Sequence, residues 1–408
     1  MRTCFSINKL IIRPSIIDHR TSNKTLPQTM KIQLHIIYLF TSVLFLSFAD
    51  RNSSLSRNVS TDTTGKGRPM INASFASVEH KLTERLYSPA DLDELLERQQ
   101  PAGIQLGTTR QGRSVNAWYF PGTSDKRALV IGGVHGSELS SIEVAQALVE
   151  RLMSANEQSH YSVIVIPALF PDNAATAMRM PEQTGSVLNI GRYTHEQAVD
   201  PNRQMPSPGE NIDDDELTDH LNRRIEKENQ LLLQLIREYK PDRIASVHAI
   251  RNINYGGIYA DPRTDANSIA LGYASDSSLA VDMATLVDKQ QGNVEGNHLQ
   301  TRPTALYYKD PTPVAAGFPQ KRNTVGAALK SNRGSGISMG TWGTTAVEKE
   351  KDQALNRDAM RVITMEVPGA RRSFDYKTDQ QKAFFRNQML AFVNAIHHIF
   401  LGNHHVED

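Results

Sequence analysis

The stretch that decides the fold runs Ala128-Leu-Val-Ile-Gly-Gly-Val-His-Gly-Ser-Glu138-Leu139. Residues 128–131 form a continuous apolar run of strand length, and Gly132-Gly133 stops it. An apolar run without alternation marks a strand buried on both faces. Leu139, Ile142, Ala145, Leu148 and Leu152 then recur at three- and four-residue spacing, the pattern of an amphipathic helix. His135 and Glu138 fall between the two, at a strand's carboxyl end, where open α/β sheets bind ligands.

The same grammar extends outward. Residues 163–166 (Val-Ile-Val-Ile) read as a second buried strand, ended by Pro167. Residues 213–216 (Asp-Asp-Asp-Glu) put negative charge where a helix dipole favours it, at the start of a long helix expected to run through Tyr239. Leu217, Leu221, Ile225, Leu232, Leu235 and Ile236 supply its apolar face. Residues 243–247 form a third strand, with His248 following it, and residues 362–367 form another, containing Glu366. A last helix carries Phe385, Met389, Phe392, Ile396 and Ile399, with Gly402 as its stop. Residues 262–340 are irregular and predict loops and short elements. Strands alternating with helices imply an α/β fold, a single domain whose mixed, largely parallel central sheet has helices on both faces.

Composition narrows the function. The 408 residues carry 45 Lys and Arg against 44 Asp and Glu, a net charge of +1, without the basic surplus of a dedicated nucleic-acid binder. Cys4 is the one cysteine, which excludes a disulfide framework, a cysteine-ligated zinc site, an iron–sulfur centre and a cysteine nucleophile in the body of the protein. Residues 1–49 read as a leader, with Met30 a credible start. Lys31, an apolar run over residues 36–48 and the Ser47-Phe48-Ala49 end look like a signal peptide. That run is short for a membrane span of roughly 20 residues, so no stable span is expected after cleavage, and a retained anchor is the alternative. The expectation is a secreted or periplasmic protein that begins near Asp50. Residues 50–100 read as linker and lead-in, with sequons at Asn52, Asn58 and Asn72 and a short helical pattern at Leu92, Leu95 and Leu96. Residues 101–408 read as the catalytic domain.

Of the 13 histidines, His135 and His248 alone cap apolar strands beside small residues. With Glu138 they make two imidazoles and a carboxylate, the donor set of a catalytic zinc site with an open fourth position. Asp200-Pro-Asn202-Arg203-Gln-Met-Pro206 adds a planar fork of donors suited to a carboxylate. Glu366, between Met365 and Val367 in a buried strand, is costly unless paired or functional, and suits a general base. Pairing with Arg371 or Arg372 is the structural alternative.

Taken in order, His135/Glu138, Asn202-Arg203, His248 and Glu366 resemble the carboxypeptidase A-like zinc carboxypeptidase family, which is related to the succinylglutamate desuccinylase and aspartoacylase group. Gly107-Thr-Thr-Arg-Gln-Gly112-Arg113 resembles that family's lead-in segment, and the usual Asn-Pro-Asp-Gly turn stands here as Phe170-Pro-Asp-Asn173. The resemblance implies one Zn2+ per chain on His135, Glu138 and His248. It implies Glu366 as general base, Arg192 (or Arg179) stabilising the oxyanion, and Asn202 and Arg203 holding the substrate carboxylate. Tyr307, Tyr308 and Trp342 are candidates for the substrate-capping aromatic. The stretch from His248 to Glu366 is long for the family, implying an insertion. The implied activity is hydrolysis of a peptide bond next to a free C-terminal carboxylate, cell-wall peptide included. The alternatives are a hydrolase of small N-acyl amino acids, whose relatives carry a β-rich domain where this chain reads as one helix, and a non-catalytic module that binds peptide termini.

Overall fold

The computed structural model describes residues 84–85, 89–186, 188–212, 216–267, 271, 273–298 and 336–405. The chain divides into residues 1–72 and 73–408, and every described residue falls in the second unit. The leader, the linker with its sequons, residues 213–215, and Tyr307 and Tyr308 lie outside the described residues.

In chain order the elements are β1 (Glu84–Arg85), α1 (Pro89–Glu97), β2 (Ala102–Thr108), β3 (Ser114–Phe120), β4 (Arg127–Ile131), α2 (Leu139–Ser154), β5 (Ser162–Ile166), α3 (Pro171–Arg179), α4 (Lys227–Tyr239), β6 (Arg243–Ile250), β7 (Gly257–Ala260), α5 (Tyr273–Lys289), α6 (Glu295–His298), α7 (Met339–Gly343), β8 (Arg361–Pro368) and α8 (Asp379–Ala395). The strands form one sheet in the order β1-β2-β3-β5-β4-β6-β8-β7. Its centre, β5-β4-β6-β8, is parallel, and β2-β3, β3-β5 and β8-β7 are antiparallel pairs. The expected mixed α/β sheet is therefore present, with the quoted strand β4 at its middle.

Both faces of the sheet are covered. Ala128, Val130, Val163, Val165, Ala245, Val247, Ile363 and Met365 pack under α2, α5 and α8. Their neighbours one residue along, Leu129, Ile131, Ile164, Ile166, Ile244 and Val362, pack under α1 and α4. Each fully buried Val, Leu or Ile contributes roughly 1.5–3 kcal/mol, so the two-sided burial of the central strands is the main stabilising term. On the second face the apolar pattern stops short of the strand ends. Past Ile244 come Ser246 and His248, and past Val362 come Thr364 and Glu366, all on that face because strand side chains alternate. The core gives way to polar groups there, and the site begins.

Two elements differ from the sequence reading. The helix expected to start near residue 213 begins at Lys227. Asp219 is the physical reason: its Oδ1 accepts the backbone N–H groups of Leu221 and Arg223, both at 2.9 Å, and Asn222 turns at φ +59°. An aspartate bonded to its own downstream backbone competes with helix. Leu217 and Ile225 are buried as expected, but Leu221 points outward. The stretch expected to be irregular contains the 17-residue helix α5, whose Leu279, Ala280, Met283, Ala284 and Val287 are fully buried. His248 lies within β6, which runs on to Ile250, rather than after it.

Candidate metal and catalytic site

Backbone geometry after β4 fixes the first two donors. Gly133 turns at φ +63°, a conformation that favours glycine. A Cβ on Gly136 would lie 2.3 Å from the backbone of Asn173 and Ala174. The His135–Glu138 turn is therefore pressed directly onto the start of α3. Ser137 N–H donates to Gly191 O at 3.1 Å and Leu139 N–H to Ala370 O at 2.8 Å, which anchor the turn from both sides.

His135, Glu138 and His248 converge. All three are buried, and one donor atom from each lies within 4.8 Å of the others. The imidazole centroids are 5.2 Å apart. Glu138 Oε2 accepts from Ala249 N at 3.1 Å and lies 3.0 Å from His248 Nδ1. Glu138 Oε1 accepts from Arg192 at 2.8 Å. His135 Nδ1 is 2.9 Å from the same oxygen, yet it is out of line for a hydrogen bond and has no hydrogen-bond partner among the described residues. A buried imidazole nitrogen aimed at a carboxylate and another imidazole, without a hydrogen bond of its own, is what a metal ligand looks like.

Each histidine is oriented through its other nitrogen. His135 Nε2 meets Asp200 Oδ1 at 2.8 Å, and His248 Nε2 meets Ser246 Oγ at 3.0 Å. Such outer contacts fix the tautomer that leaves Nδ1 facing inward. Burial alone would lower the pKa of His135, but the Glu138 and Asp200 carboxylates outweigh it and raise it to about 9. Burial would raise Glu138, but the two imidazoles hold it well below the usual carboxylate range. The pocket is thus built to compensate positive charge.

Asp200 had no role in the sequence reading and has a central one here. Its Oδ1 also accepts Asn202 N–H at 2.9 Å, and its Oδ2 accepts from Arg192 at 3.2 Å. It stands two residues before Asn202 in the motif already singled out, but nothing in sequence spacing shows that it reaches His135. Asn173 was likewise only part of a turn motif. Its Nδ2 donates to Gly191 O at 3.3 Å and Tyr193 O at 2.9 Å, clamping the residues on either side of Arg192.

A cavity of about 370 Å³ opens over these groups, lined by His135, Glu138, Arg192, Asn202, Arg203, His248 and Glu366 among others. Arg179 is not part of it and lies on α3 beside Thr176. Asn202 Oδ1 accepts Met339 N–H at 3.2 Å, and its Nδ2 lies 3.4 Å from His248 Nε2. Glu366 stands on β8 directly across from His248 on β6. Burial pushes its carboxyl up to about 6, against the opposing pull of His248. The alternative partners are engaged elsewhere: Arg371 donates to Glu182 O and Arg372 pairs with Asp375. Gly107–Arg113 forms the turn of the β2–β3 hairpin, and Arg113 ties it to Asp172 at 3.0 Å. Trp342 does not cap this cavity. It lies in α7 with Arg357 over its ring at 4.1 Å, and lines a separate cavity with Arg243 and Arg361 at the amino ends of the strands.

The model of the zinc carboxypeptidase family matches residues 92–388. The chain belongs to the zinc carboxypeptidase family. Solved structures similar to it include bovine thrombin-activatable fibrinolysis inhibitor in complex with tick carboxypeptidase inhibitor, at 12% identity over 76% of this chain and 94% of that one, TM-score 0.44. Carboxypeptidase A from Helicoverpa armigera is 14% identical over 76% of this chain and 73% of that one, TM-score 0.41. A metallo-carboxypeptidase from Burkholderia cenocepacia is 12% identical over 76% and 68%, TM-score 0.40. No curated protein sequence matches. The family is zinc-dependent, and the donors fit that metal: two imidazoles and a carboxylate, buried and convergent, with their outer contacts in place. No helix among the described residues is long and apolar enough to cross a membrane.

Proposed function

We propose that this zinc carboxypeptidase family member hydrolyses the last peptide bond of a substrate with a free C-terminal carboxylate, with one zinc held by His135, Glu138 and His248. The observation that carries the reading is Glu366. A buried carboxyl whose pKa is raised to about 6 faces a histidine of the donor set across one strand pair and lines the same cavity.

Zinc, when bound, supplies Lewis acidity for the carbonyl and for a water. The rest is the work of the chain's own side chains. Arg203, with the Asn202 amide beside it, binds the substrate carboxylate and so sets which bond reaches the centre. Glu366 accepts a proton from water at its carboxylate and returns it to the leaving amine nitrogen. Arg192, kept in position by Glu138, Asp200 and the Asn173 clamp, stabilises the developing oxyanion. Asp200 holds the His135 ring.

Some relatives in this family are non-catalytic, and the presence of Glu366 in the cavity favours the enzyme reading over a peptide-terminus binding module. The substrate class includes cell-wall peptides with a free terminal carboxylate, and the leader over residues 1–49 supports export to where such substrates are found. The test separates base from ligand. Glu366→Gln should keep about one zinc per chain while kcat falls by at least ~10²-fold. His248→Ala should lose zinc and activity together. Full activity in Glu366→Gln refutes the assignment of the base. Export predicts a secreted form that starts near Asp50, and mass spectrometry finding residues 30–49 retained refutes it.

A further inference from the structure

The strands that carry His248 and Glu366 end, on the other side of the sheet, in two arginines. Arg243 opens β6 and Arg361 opens β8, paired in register, each five residues before the catalytic-cavity group on its strand. Five residues along a strand is about 16–17 Å, so these cations take no part in the chemistry proposed above. They line a second cavity of about 700 Å³, against about 370 Å³ for the catalytic one. Seven Lys and Arg side chains line it against three Asp and Glu. Some of that charge is already matched. Arg263 and Arg361 share the fully buried Asp276 at 2.7 and 2.6 Å, and Lys126 lies 3.9 Å from Asp242. Arg357 and Arg243 are not matched. Arg357 donates to Trp342 O at 2.8 Å and Gly343 O at 3.0 Å. Arg243 donates to Phe400 O at 2.8 Å, His404 O at 3.2 Å and the Tyr161 hydroxyl. These acceptors are all neutral, and neither guanidinium makes an ion pair among the described residues. Burial lowers the pKa of both to about 10, as it does for cations that water cannot fully solvate. The Arg357 guanidinium lies 4.1 Å over the Trp342 ring, and the buried Trp342 indole N–H has no acceptor among the described residues. A buried indole N–H normally has one.

We propose that this second cavity binds an organic anion, a small molecule that carries a carboxylate or phosphate group on an apolar body. A guanidinium has five N–H donors in a planar fork, and Arg357 uses two of them on backbone carbonyls. An anionic oxygen takes the remaining donors and supplies the charge that the carbonyls do not. Charge alone would suit inorganic phosphate equally well. The rest of the lining decides against it: Ile212, Ile236, Val347, Leu355 and Met360 join Trp342 around the cavity, and its volume falls in the range of small-molecule sites, roughly 300–1,000 Å³. A neutral ligand of the same shape would gain the apolar contact and leave the guanidinium charge unmatched. A purely structural role for Arg357, capping the last carbonyls of α7, requires N–H donors and no charge. It accounts neither for the unmatched Arg243 nor for the Trp342 N–H.

Trp342 is one of two tryptophans, and it lines this cavity but not the catalytic one. Its emission therefore reports on the proposed site. The zinc-loaded full chain is titrated with hexyl phosphate, hexanoate, 1-hexanol and inorganic phosphate, and emission is followed in the wild type and in Trp118→Phe, where Trp342 is the sole fluorescent tryptophan. Hexyl phosphate or hexanoate should give a saturable change, with an affinity at least ~10-fold above that of hexanol and of inorganic phosphate. The tighter of the two anions identifies the group that the site takes. Arg357→Gln keeps an amide donor for the α7 carbonyls and removes the charge. It should weaken anion binding at least ~10-fold, with zinc content and thermal midpoint reporting its fold, and Arg357→Lys should recover part of the loss. Arg203→Ala should leave the emission change intact, because Arg203 belongs to the other cavity. Hexanol or inorganic phosphate binding as tightly as the organic anions, or no saturable change with any probe, overturns the proposal, and this comparison is made on the wild type whether or not a variant folds. Undiminished binding in Arg357→Gln overturns it, as does a change that disappears in Arg203→Ala, since the anion would then act from the catalytic cavity.

Discussion

Asp200→Asn tests how the metal centre is supported, and its size follows from three contacts. Asp200 Oδ1 meets His135 Nε2 at 2.8 Å and Asn202 N at 2.9 Å, and Oδ2 meets Arg192 at 3.2 Å. Asparagine keeps one acceptor oxygen and the shape, but it removes the charge and turns an N–H₂ group toward a donor. A hydrogen bond to a charged group is worth about 1.5–3 kcal/mol and a neutral one about 0.5–1.5, so the His135 contact loses on the order of 1–2 kcal/mol. At 1.4 kcal/mol per factor of ten, that weakens zinc binding by roughly 5- to 30-fold, which overlaps the roughly 10- to 100-fold seen when such outer-shell partners are changed. His135 should also become less basic, because Asp200 is one of the two carboxylates that raise it to about 9. The assay is competition for zinc against a chelator of known affinity at neutral pH, with thermal unfolding as a check on the fold. A zinc affinity within about twofold of wild type would refute the idea that Asp200 holds the metal-binding face of His135.

Arg203→Ala should keep its zinc and mainly raise KM in steady-state assays on peptides with a free carboxylate, because it removes ground-state contact with that group; loss of zinc in this variant would show that the roles are wrongly divided. Gly136→Ala should destabilise the fold by about 1–3 kcal/mol in denaturant unfolding, since its Cβ would meet backbone at 2.3 Å rather than a movable side chain; an unchanged midpoint would contradict the packing described for the His135 turn. Glu228, buried in the first turn of α4, has its carboxyl pushed up to about 7 by desolvation, with Glu226 and Asp172 adding to it. A folded pKa above the unfolded value means that the stability from this group is fully present below about pH 4 and is lost as pH rises through about 7. Glu228→Gln should therefore gain stability relative to wild type on going from pH 5 to pH 8, by a few kcal/mol at most, and equal differences at the two pH values would refute it.

The framework was legible because its determinants are local in sequence. The apolar runs at residues 128–131 and 163–166 are buried strands, and the helix period after Glu138 is α2. His248 and Glu366 were legible because each interrupts an apolar strand, where a polar residue is costly without a task, and His135 and Glu138 because they fall in the Gly-rich turn between a buried strand's carboxyl end and a helix, where open α/β sheets bind ligands. What escaped was set by contacts across the fold. Asp200 reaches His135 over a loop, Asn173 reaches the flanks of Arg192 from the start of α3, and neither contact leaves a period or a spacing to read. The false helix start near residue 213 arose because its charge pattern and apolar spacing were sound while Asp219 bonds its own backbone instead. Helix α5 was overlooked because its buried face includes small alanines, Ala280 and Ala284, and its first turns hold Ser and Asp.

The central claim is zinc-dependent removal of a C-terminal residue at the His135, Glu138 and His248 centre. The most direct measurement incubates the full chain with a set of peptides that differ in their last residue, as free acids and as C-terminal amides, before chelation, after it, and after zinc is restored. Mass spectrometry follows the products. The expected result is loss of a single terminal residue from the free acids, none from the amides, none after chelation, and recovery with about one zinc per chain. Cleavage within the peptide, equal turnover of the amide, or undiminished activity in the chelated protein would contradict it.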